Sequence, residues 1–221
     1  MDDLTYTVNL SDIKSAHRAD ADYFQPKYGR LLQKIKSYGA KPLLETVQNV
    51  QAKFDPNSQS DKDFKYVELA NINSSIGFID SYSEILGSDA PSRARRILKT
   101  SDVIVSSVEG SLEKVALVGE EQEGFIASTG FFQFRRKEIL PEVLLVLCKS
   151  LVFQMQLKKQ TAGTILTAVP KESIKNIFAP IIPEQVQQKI ADLVYQAHEA
   201  RKKARELLEQ AKREVEKLVE G

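Results

Sequence analysis

Sulfur and imidazole ligands are scarce in this sequence. It has one cysteine, Cys148, and two histidines, His17 and His198, which stand far apart. A single thiol forms neither an intrachain disulfide nor a thiolate zinc cluster, and the histidine spacing excludes an HExxH zinc helix. We therefore predict no metal site and no cofactor for this chain, and we interpret Cys148, which lies in an apolar run, as a buried small hydrophobic residue.

Sequence signatures of catalysis are also absent. There is no GxxxxGK[ST] phosphate loop, no GxGxxG fingerprint and no GxSxG nucleophile elbow. No glutamate is followed by x-Lys, the pattern of restriction-type nucleases, and the Asn-Pro-Pro-aromatic motif of amino-methyltransferases is missing. We expect a chain with no catalytic residues of its own.

Long apolar runs are absent as well. The densest one, residues 143–153, is interrupted by Lys149 and is too short to span a bilayer. The N-terminus begins Met1-Asp2-Asp3 and lacks the basic-then-apolar order of a secretory signal. These features predict a cytoplasmic protein.

Charge of either sign is not in excess overall. Lys and Arg total 31 against 30 Asp and Glu, a formal net charge of +1, which excludes a uniformly basic protein. Locally the balance differs, because residues 135–175 hold eight basic and three acidic residues, a charge of +5. A second basic cluster, with no acid between its members, consists of Arg93, Arg95, Arg96 and Lys99.

Hydroxyl and glycine residues accompany these two basic segments, at residues 106–111, 128–130 and 160–164. Clustered cations neutralise phosphates, and hydroxyls or glycine backbone amides donate hydrogen bonds to them. From composition alone, contact with DNA and an ordinary set of solvated charges on loops both remain open.

The last 38 residues, 184–221, have no proline and only a terminal glycine. Their apolar residues recur in rows seven residues apart, which predicts a long helix of about 57 Å with a heptad seam of coiled-coil type. The seam residues are Ile190, Leu193, Val194, Ala197, Ala200, Ala204, Leu207, Leu208, Ala211, Val215 and Leu218. One domain of this size cannot bury so long a stripe, so we expect a partner helix; the alternative is an isolated solvated helix.

The preceding part of the chain predicts an α+β domain. Alternating residues favour a strand at 4–10, helical spacing favours a helix at 26–38 that stops at Gly39, and residues 54–63 are typical of an exposed loop. Seven short strands are then predicted, at 66–72, 76–82, 95–98, 103–107, 114–118, 125–128 and 131–135. Helical spacing returns at 142–160, and a strand at 165–169, a turn at 170–176 and an extended segment at 177–182 follow.

In the order of its motifs, the chain resembles the specificity subunits of type I restriction-modification systems. The family's opening motif, R-x-D-A-x-[YF]-[YF]-x-P, is similar to Arg18-Ala-Asp-Ala-Asp-Tyr-Phe-Gln-Pro-Lys27. The family's hydrophobic strand that ends in Asn-Ile is similar to Tyr66-Val-Glu-Leu-Ala-Asn-Ile72. Leu98-Lys-Thr-Ser-Asp-Val-Ile-Val-Ser-Ser107 resembles its gDil-S stretch, with Ser101 where glycine is common. Gly163-Thr164, Val169-Pro170 and the segment 181–190 are similar to the usual ending, which enters a long conserved helix.

The resemblance implies a β-rich target recognition domain over residues 1–182 and a spacer helix over 183–221 that serves dimerisation or methylase docking. It implies a DNA-recognition subunit for a bipartite site, whose partners are double-stranded DNA, the methylase subunits and, indirectly, the restriction subunit. Methyl transfer and cleavage, with S-adenosylmethionine, Mg²⁺ and ATP, would belong to those partners. On this interpretation we predict as DNA contacts Arg93, Arg95, Arg96, Lys99, Ser107, Lys114, Lys158, Lys159, Thr161 and Thr164.

Family members usually carry two recognition domains and two long helices, whereas this sequence has one of each. It is therefore a half-size subunit that self-associates, a fragment, or part of a split system. A second hypothesis stays open, namely a non-catalytic adaptor that pairs through its C-terminal helix and does not bind DNA.

Overall fold

The computed structural model of the protein describes residues 5–163 and 167–220. The chain divides into two compact units, Met1–Ile181 and Ile182–Gly221. The first unit is a mixed α and β domain and the second is helical, so the predicted α+β class with a long C-terminal helix is confirmed.

Of the six α-helices in the described residues, five lie in the first unit. They are α1 (Leu10–Ala16), α2 (Pro26–Ser37), α3 (Leu43–Thr46), α4 (Pro141–Lys149) and α5 (Leu151–Gln160). The second unit consists of α6 (Glu184–Glu220), a helix of 37 residues. No helix in the described ranges combines the length and apolar character needed to cross a membrane.

Within the part of the chain that the structure describes, twelve short strands build the sheets. They are β1 (Ala40–Pro42), β2 (Val47–Asn49), β3 (Asp63–Val67), β4 (Ile72–Asn73), β5 (Phe78–Ile79), β6 (Ser83–Leu86), β7 (Ala94–Ile97), β8 (Val103–Ser106), β9 (Val115–Leu117), β10 (Ile126–Ser128), β11 (Phe131–Arg136) and β12 (Phe178–Pro180).

Two four-stranded sheets carry the domain. One has the order β6-β3-β10-β7, in which β3 and β10 are parallel and the other pairs antiparallel. The other, β2-β11-β8-β9, is antiparallel throughout. Two-stranded ribbons, β1-β12 and β4-β5, complete the domain. The short connection from β10 to β11 joins the two large sheets, so the loops at that corner are held by both.

The core lies where these sheets face each other and the helices. Phe131, Phe132 and Phe134 on β11 are each at most 2% exposed, because β11 is an inner strand of its sheet. The rings of Phe132 and Phe134 stack with centroids 6.0 Å apart. This row of aromatics therefore belongs to the core and offers no surface for stacking on bases.

Local signals located α2 correctly. Pro26 occupies its first turn, and Gly39, just beyond its end, has φ of 84°, a left-handed conformation that glycine adopts at little cost. The predicted strand at 4–10 is wrong over its described part, because residues 5–9 are in no regular element and Leu10 begins α1. Alternation without a neighbouring strand to pair with does not make a strand.

The single helical stretch predicted at 142–160 is two helices. Ser150 has φ −68° and ψ 149°, which ends α4, and its hydroxyl accepts a hydrogen bond from the Phe153 amide at the start of α5. Serine is a strong N-cap, and the apolar periodicity runs through the break unchanged. Most of the predicted short strands occur, with shifted ends, and β12 lies within the extended segment predicted at 177–182, whereas β1, β2 and β6 follow no distinct pattern. Of the predicted strand at 165–169, residues 165 and 166 lie outside the described residues, and only Ala168 makes bridge pairs.

Candidate nucleic-acid interface

Backbone hydrogen bonds bring four separate segments together at one corner of the first unit. The Thr129 amide donates to the Arg93 carbonyl at 2.8 Å, and the Ser107 amide donates to the Gly130 carbonyl at 2.8 Å. The Val169 amide donates in turn to the Ser107 carbonyl at 2.7 Å. We call the described residues at 92–93, 106–111, 128–130 and 158–169 the loop junction. It brings one cation of the 93–99 cluster and the end of α5, from the second basic segment, next to the described parts of the three hydroxyl runs.

The end of α5 is part of this junction. Ala162 and Ala168 exchange backbone hydrogen bonds of 2.9 and 3.0 Å, and the Glu109 amide donates to the Thr167 carbonyl at 2.9 Å. The pairing holds the last turn of α5, with Lys158 and Lys159, beside the 106–111 turn. Cations that are 65 residues apart in sequence, Arg93 and Lys158, thus belong to one set of connected loops.

Three of the predicted contact residues are exposed cations. The side chains of Arg93, Lys99 and Lys158 make no hydrogen bond or ion pair with the described residues. Arg93 and Lys158 lie at the loop junction, and Lys99 follows the far end of β7. Such side chains can approach a phosphate without first giving up a partner.

Other predicted contacts already have partners within the chain. Arg95 forms an ion pair with Asp55. The Lys114 ammonium donates to the Ile72 carbonyl at 3.0 Å. The hydroxyls of Ser107 and Thr161 donate to the carbonyls of Gly130 and Lys158, at 2.9 and 2.8 Å. Thr164 lies outside the described residues.

Arg96 has a structural position. It is 3% exposed and lies on the opposite face of β7 from Arg95. Its Nη1 donates to the Val50 carbonyl at 2.7 Å, while its Nε has no partner. Burial lowers the pKa of Arg96 to about 10, so the group remains charged at neutral pH. Arg96 anchors the segment after β2, and the predicted DNA contact at this residue is corrected to a structural role because its guanidinium is buried.

The opening motif of the family resemblance folds into a cluster beside the loop junction. The Arg18 guanidinium binds the Asp20 carboxylate through Nε and Nη2, at 2.8 and 2.9 Å, and Asp20 also accepts the Tyr23 amide at 3.0 Å. The hydrogen bonds from Arg18, the largest cause, hold the pKa of Asp20 below its ordinary value. The cations of Arg18 and Lys159 lie 4.5 and 4.6 Å from the centroid of the Tyr23 ring.

The motif is recognisable in the sequence, but Arg18, Asp20 and Tyr23 were not predicted as site residues. The available signal was their spacing, since an arginine two residues before an aspartate, followed by an aromatic residue, permits a local ion pair and a stacked cation. Their meeting with Lys159 depends on the tertiary fold, because more than 130 residues separate the two segments.

Two observations concern the candidate nucleophile and metal-ligating side chains of the described residues. Cys148 is fully buried in α4, and burial raises the pKa of its thiol well above its ordinary value. A raised pKa disfavours the reactive thiolate, so Cys148 has the properties of a small hydrophobic residue and not those of a nucleophile. Among the described residues, no group of three or more His, Cys, Asp or Glu side chains is arranged to hold a metal ion.

No family model matches the sequence, and no curated protein matches it. Solved structures do. A chain from a structural study of complex assembly and conformational transition of the type I R-M system is 32% identical, with a TM-score of 0.63, over 80% of this chain and 46% of that one. The HsdS subunit from Thermoanaerobacter tengcongensis is also 32% identical, with a TM-score of 0.62, over 76% of this chain and 43% of that subunit.

These similarities define the class: over 76–80% of its length the chain is similar in fold and sequence to solved type I restriction-modification proteins. Within that class, the chain resembles the HsdS specificity subunit, which confirms the family resemblance found in the sequence. The chain spans somewhat less than half the length of each of these two relatives.

Proposed function

We propose that this chain is a DNA-recognition subunit of a type I restriction-modification system. The observation that carries the proposal is the similarity to the HsdS subunit, 32% identity with the same fold over 76% of this chain. The exposed cations Arg93 and Lys158 at the loop junction support it, because phosphate contacts set the position of a protein on duplex DNA. The other predicted contacts are secondary candidates. Four of them would have to exchange or share an internal contact, namely Arg95, Lys114, Ser107 and Thr161. Lys99 lies farther along the surface.

The chain itself contributes recognition and no chemistry in this proposal. Methylase and restriction subunits would act on the DNA, with S-adenosylmethionine, Mg²⁺ and ATP as their cofactors. Because the chain spans less than half of HsdS, a second half is needed for a bipartite site. We propose that the second half is brought in through the heptad seam of α6, which pairs two copies of this chain or pairs this chain with a different half. Two identical copies related by a twofold axis would recognise an interrupted palindrome.

Binding-site selection from a random duplex pool tests the function. The full chain, alone and with its cognate methylase subunit, should enrich an interrupted motif. If no motif is enriched in either condition, the chain is not a recognition subunit, and the adaptor hypothesis takes its place.

Single-residue tests locate the interface. Replacing Lys158 with Gln should weaken binding to all duplexes alike and reduce the slope of log K against log salt by about 0.9, the value for one lost phosphate contact. Lys36→Gln, which removes an equal charge from the last turn of α2, should leave the slope unchanged. An unchanged slope in the Lys158 variant would remove this residue from the interface.

A further inference from the structure

The ammonium group of Lys159 has no hydrogen-bond acceptor among the residues that the structure describes. Lys159 lies in the last turn of α5, is partly buried, and its Nζ lies 4.6 Å from the centroid of the Tyr23 ring. Among the described residues no oxygen accepts a hydrogen bond from this nitrogen, although a lysine ammonium carries three N–H donors. Neighbouring Lys158 is exposed, so its donors are satisfied by water, whereas the partly desolvated Lys159 has a greater need of an acceptor.

A second cation is close to it. The Arg18 guanidinium lies over the same Tyr23 ring at 4.5 Å, and burial together with the positive charge of Arg18 lowers the pKa of Lys159. Arg18 gives two of its nitrogens to Asp20, and its Nη1 has only a long contact of 3.5 Å to the Gln160 carbonyl. Two cations therefore share one ring, and each has donor capacity that the chain does not use.

These groups line a cleft of about 750 Å³ in the first unit. Its charged lining residues other than His17 are Arg18, Lys159, Lys175, Asp12 and Glu172, three cations against two carboxylates. The lining of this cleft thus carries one more positive than negative charge, and Asp20, the ion-pair partner of Arg18, lines a neighbouring cleft instead.

A neighbouring cleft of about 640 Å³ provides an internal comparison. Arg18 also lines it, but here three cations are matched by three carboxylates. The cations are Arg18, Lys27 and Lys158, and the carboxylates are Asp20, Asp22 and Glu109. Adjacent lysines on α5 therefore face different electrostatic surroundings, and Lys159 has the one that favours an anion.

We propose that Lys159 and Arg18 bind a phosphate group in the cleft beside Tyr23. The ammonium of Lys159 and the Nη1 of Arg18 donate hydrogen bonds to phosphate oxygens, and the anion relieves the repulsion between the two cations. The proposal rests on the proposed function in one respect: we assign the phosphate to the backbone of bound DNA, and the site itself requires only a phosphate.

Titration with inorganic phosphate tests the site independently of DNA. In the full chain, NMR signals of the Lys159 side chain should shift on addition of phosphate, and the pKa of Lys159 should rise because the bound anion favours its charged form. Lys159→Gln should weaken phosphate binding about tenfold, as expected for a lost charged hydrogen bond. Lys36→Gln is the matched control, because Lys36 also lies over an aromatic ring, Phe178, at 4.6 Å and lines neither cleft.

A merely structural role for Lys159 predicts a different result. Its loss would lower the stability of the domain, whereas the wild-type pKa would not respond to phosphate. No response in the wild type, or equal losses in the Lys159 and Lys36 variants, would overturn the proposal.

Binding to a duplex obtained by the selection experiment tests whether the bound phosphate belongs to the DNA backbone. If DNA binding by Lys159→Gln equals the wild type in affinity and salt slope while phosphate binding is lost, the site takes free phosphate and its assignment to the DNA backbone is wrong. If the wild type binds phosphate through Lys159 but enriches no DNA motif, the proposed function fails and the phosphate site stands. Loss of both in Lys159→Gln, with the Lys36 variant unaffected, supports the full proposal.

Discussion

The fully buried carboxylate of Asp102 binds the Arg135 guanidinium through two hydrogen bonds, of 2.7 and 2.8 Å. The same carboxylate accepts the Gln133 side-chain amide at 2.7 Å and the Lys99 backbone amide at 3.0 Å. Asp102 thus joins β11 to the turn between β7 and β8. Arg135, which contributes to the basic excess of residues 135–175, serves this internal pair, and the hydrogen bonds that it donates to Asp102 raise its pKa.

Replacing Asp102 with Asn should destabilise the domain. The amide keeps the shape of the carboxylate but removes the charge that compensates Arg135. Breaking a buried ion pair costs about 3–5 kcal/mol, and because the Arg135 side chain is 33% exposed we expect about 2 kcal/mol from urea unfolding. The control is Glu138→Gln, which breaks the exposed Lys41–Glu138 pair and should cost below about 1 kcal/mol. Equal losses in the two variants would contradict a structural role for the Asp102 pair.

Replacing Ser101 with glycine should stabilise the domain. Its φ of 70° is left-handed, a conformation costly to residues with a Cβ, and the family resemblance places glycine at this position. After allowing for the greater chain entropy of glycine, we expect Ser101→Gly to raise the free energy of unfolding by about 0.5 kcal/mol. Ser60 is a matched control with φ −51°, where glycine brings only its entropic cost and should destabilise. A loss of stability in Ser101→Gly, measured by the same urea titration, would show that the strain is absent.

Local signals were sufficient for those parts of the fold that depend on neighbouring residues. Pro26 and Gly39 bound α2, and the heptad rows predict α6, because capping and helical periodicity are properties of a few successive residues. Very short strands such as β1 and β2 depend on partners far along the chain, β12 and β11. Their existence follows from pairing and not from local propensity.

The candidate site divides in the same way. Composition located the basic segments, but it could not separate Arg95, paired with Asp55, from Arg96, which is buried one residue later. The face that a side chain occupies depends on strand register, which the sequence leaves open. Likewise, Tyr23 meets Lys159 only after the fold has formed.

The ion pair of the opening motif should be visible in a pH titration. Hydrogen bonds from Arg18 hold the pKa of Asp20 below its ordinary 3.8, so the pair stabilises the folded state above that pH. Its contribution is lost as the pH falls through the depressed pKa. In Arg18→Gln, the pKa of Asp20, followed by NMR of its carboxyl carbon, should rise toward the ordinary value. A pKa that is the same in wild type and variant would mean that Arg18 does not stabilise the carboxylate in solution.

We predict that the chain self-associates through α6. Leu207 and Leu208 are 56% and 72% exposed, and a helix with so long an apolar seam lowers its free energy by pairing. Light scattering should give the wild-type chain twice the mass of the double variant Leu207→Asp, Leu208→Asp, with unchanged helical circular dichroism. Substituting Asp at Lys202 and Glu209, which lie off the seam, supplies the control and should leave the dimer intact. A wild-type chain that remains monomeric at all concentrations would contradict pairing of two copies. The partner of the seam would then be a helix of a different chain, because the spacing of the apolar rows favours a helical partner in either case.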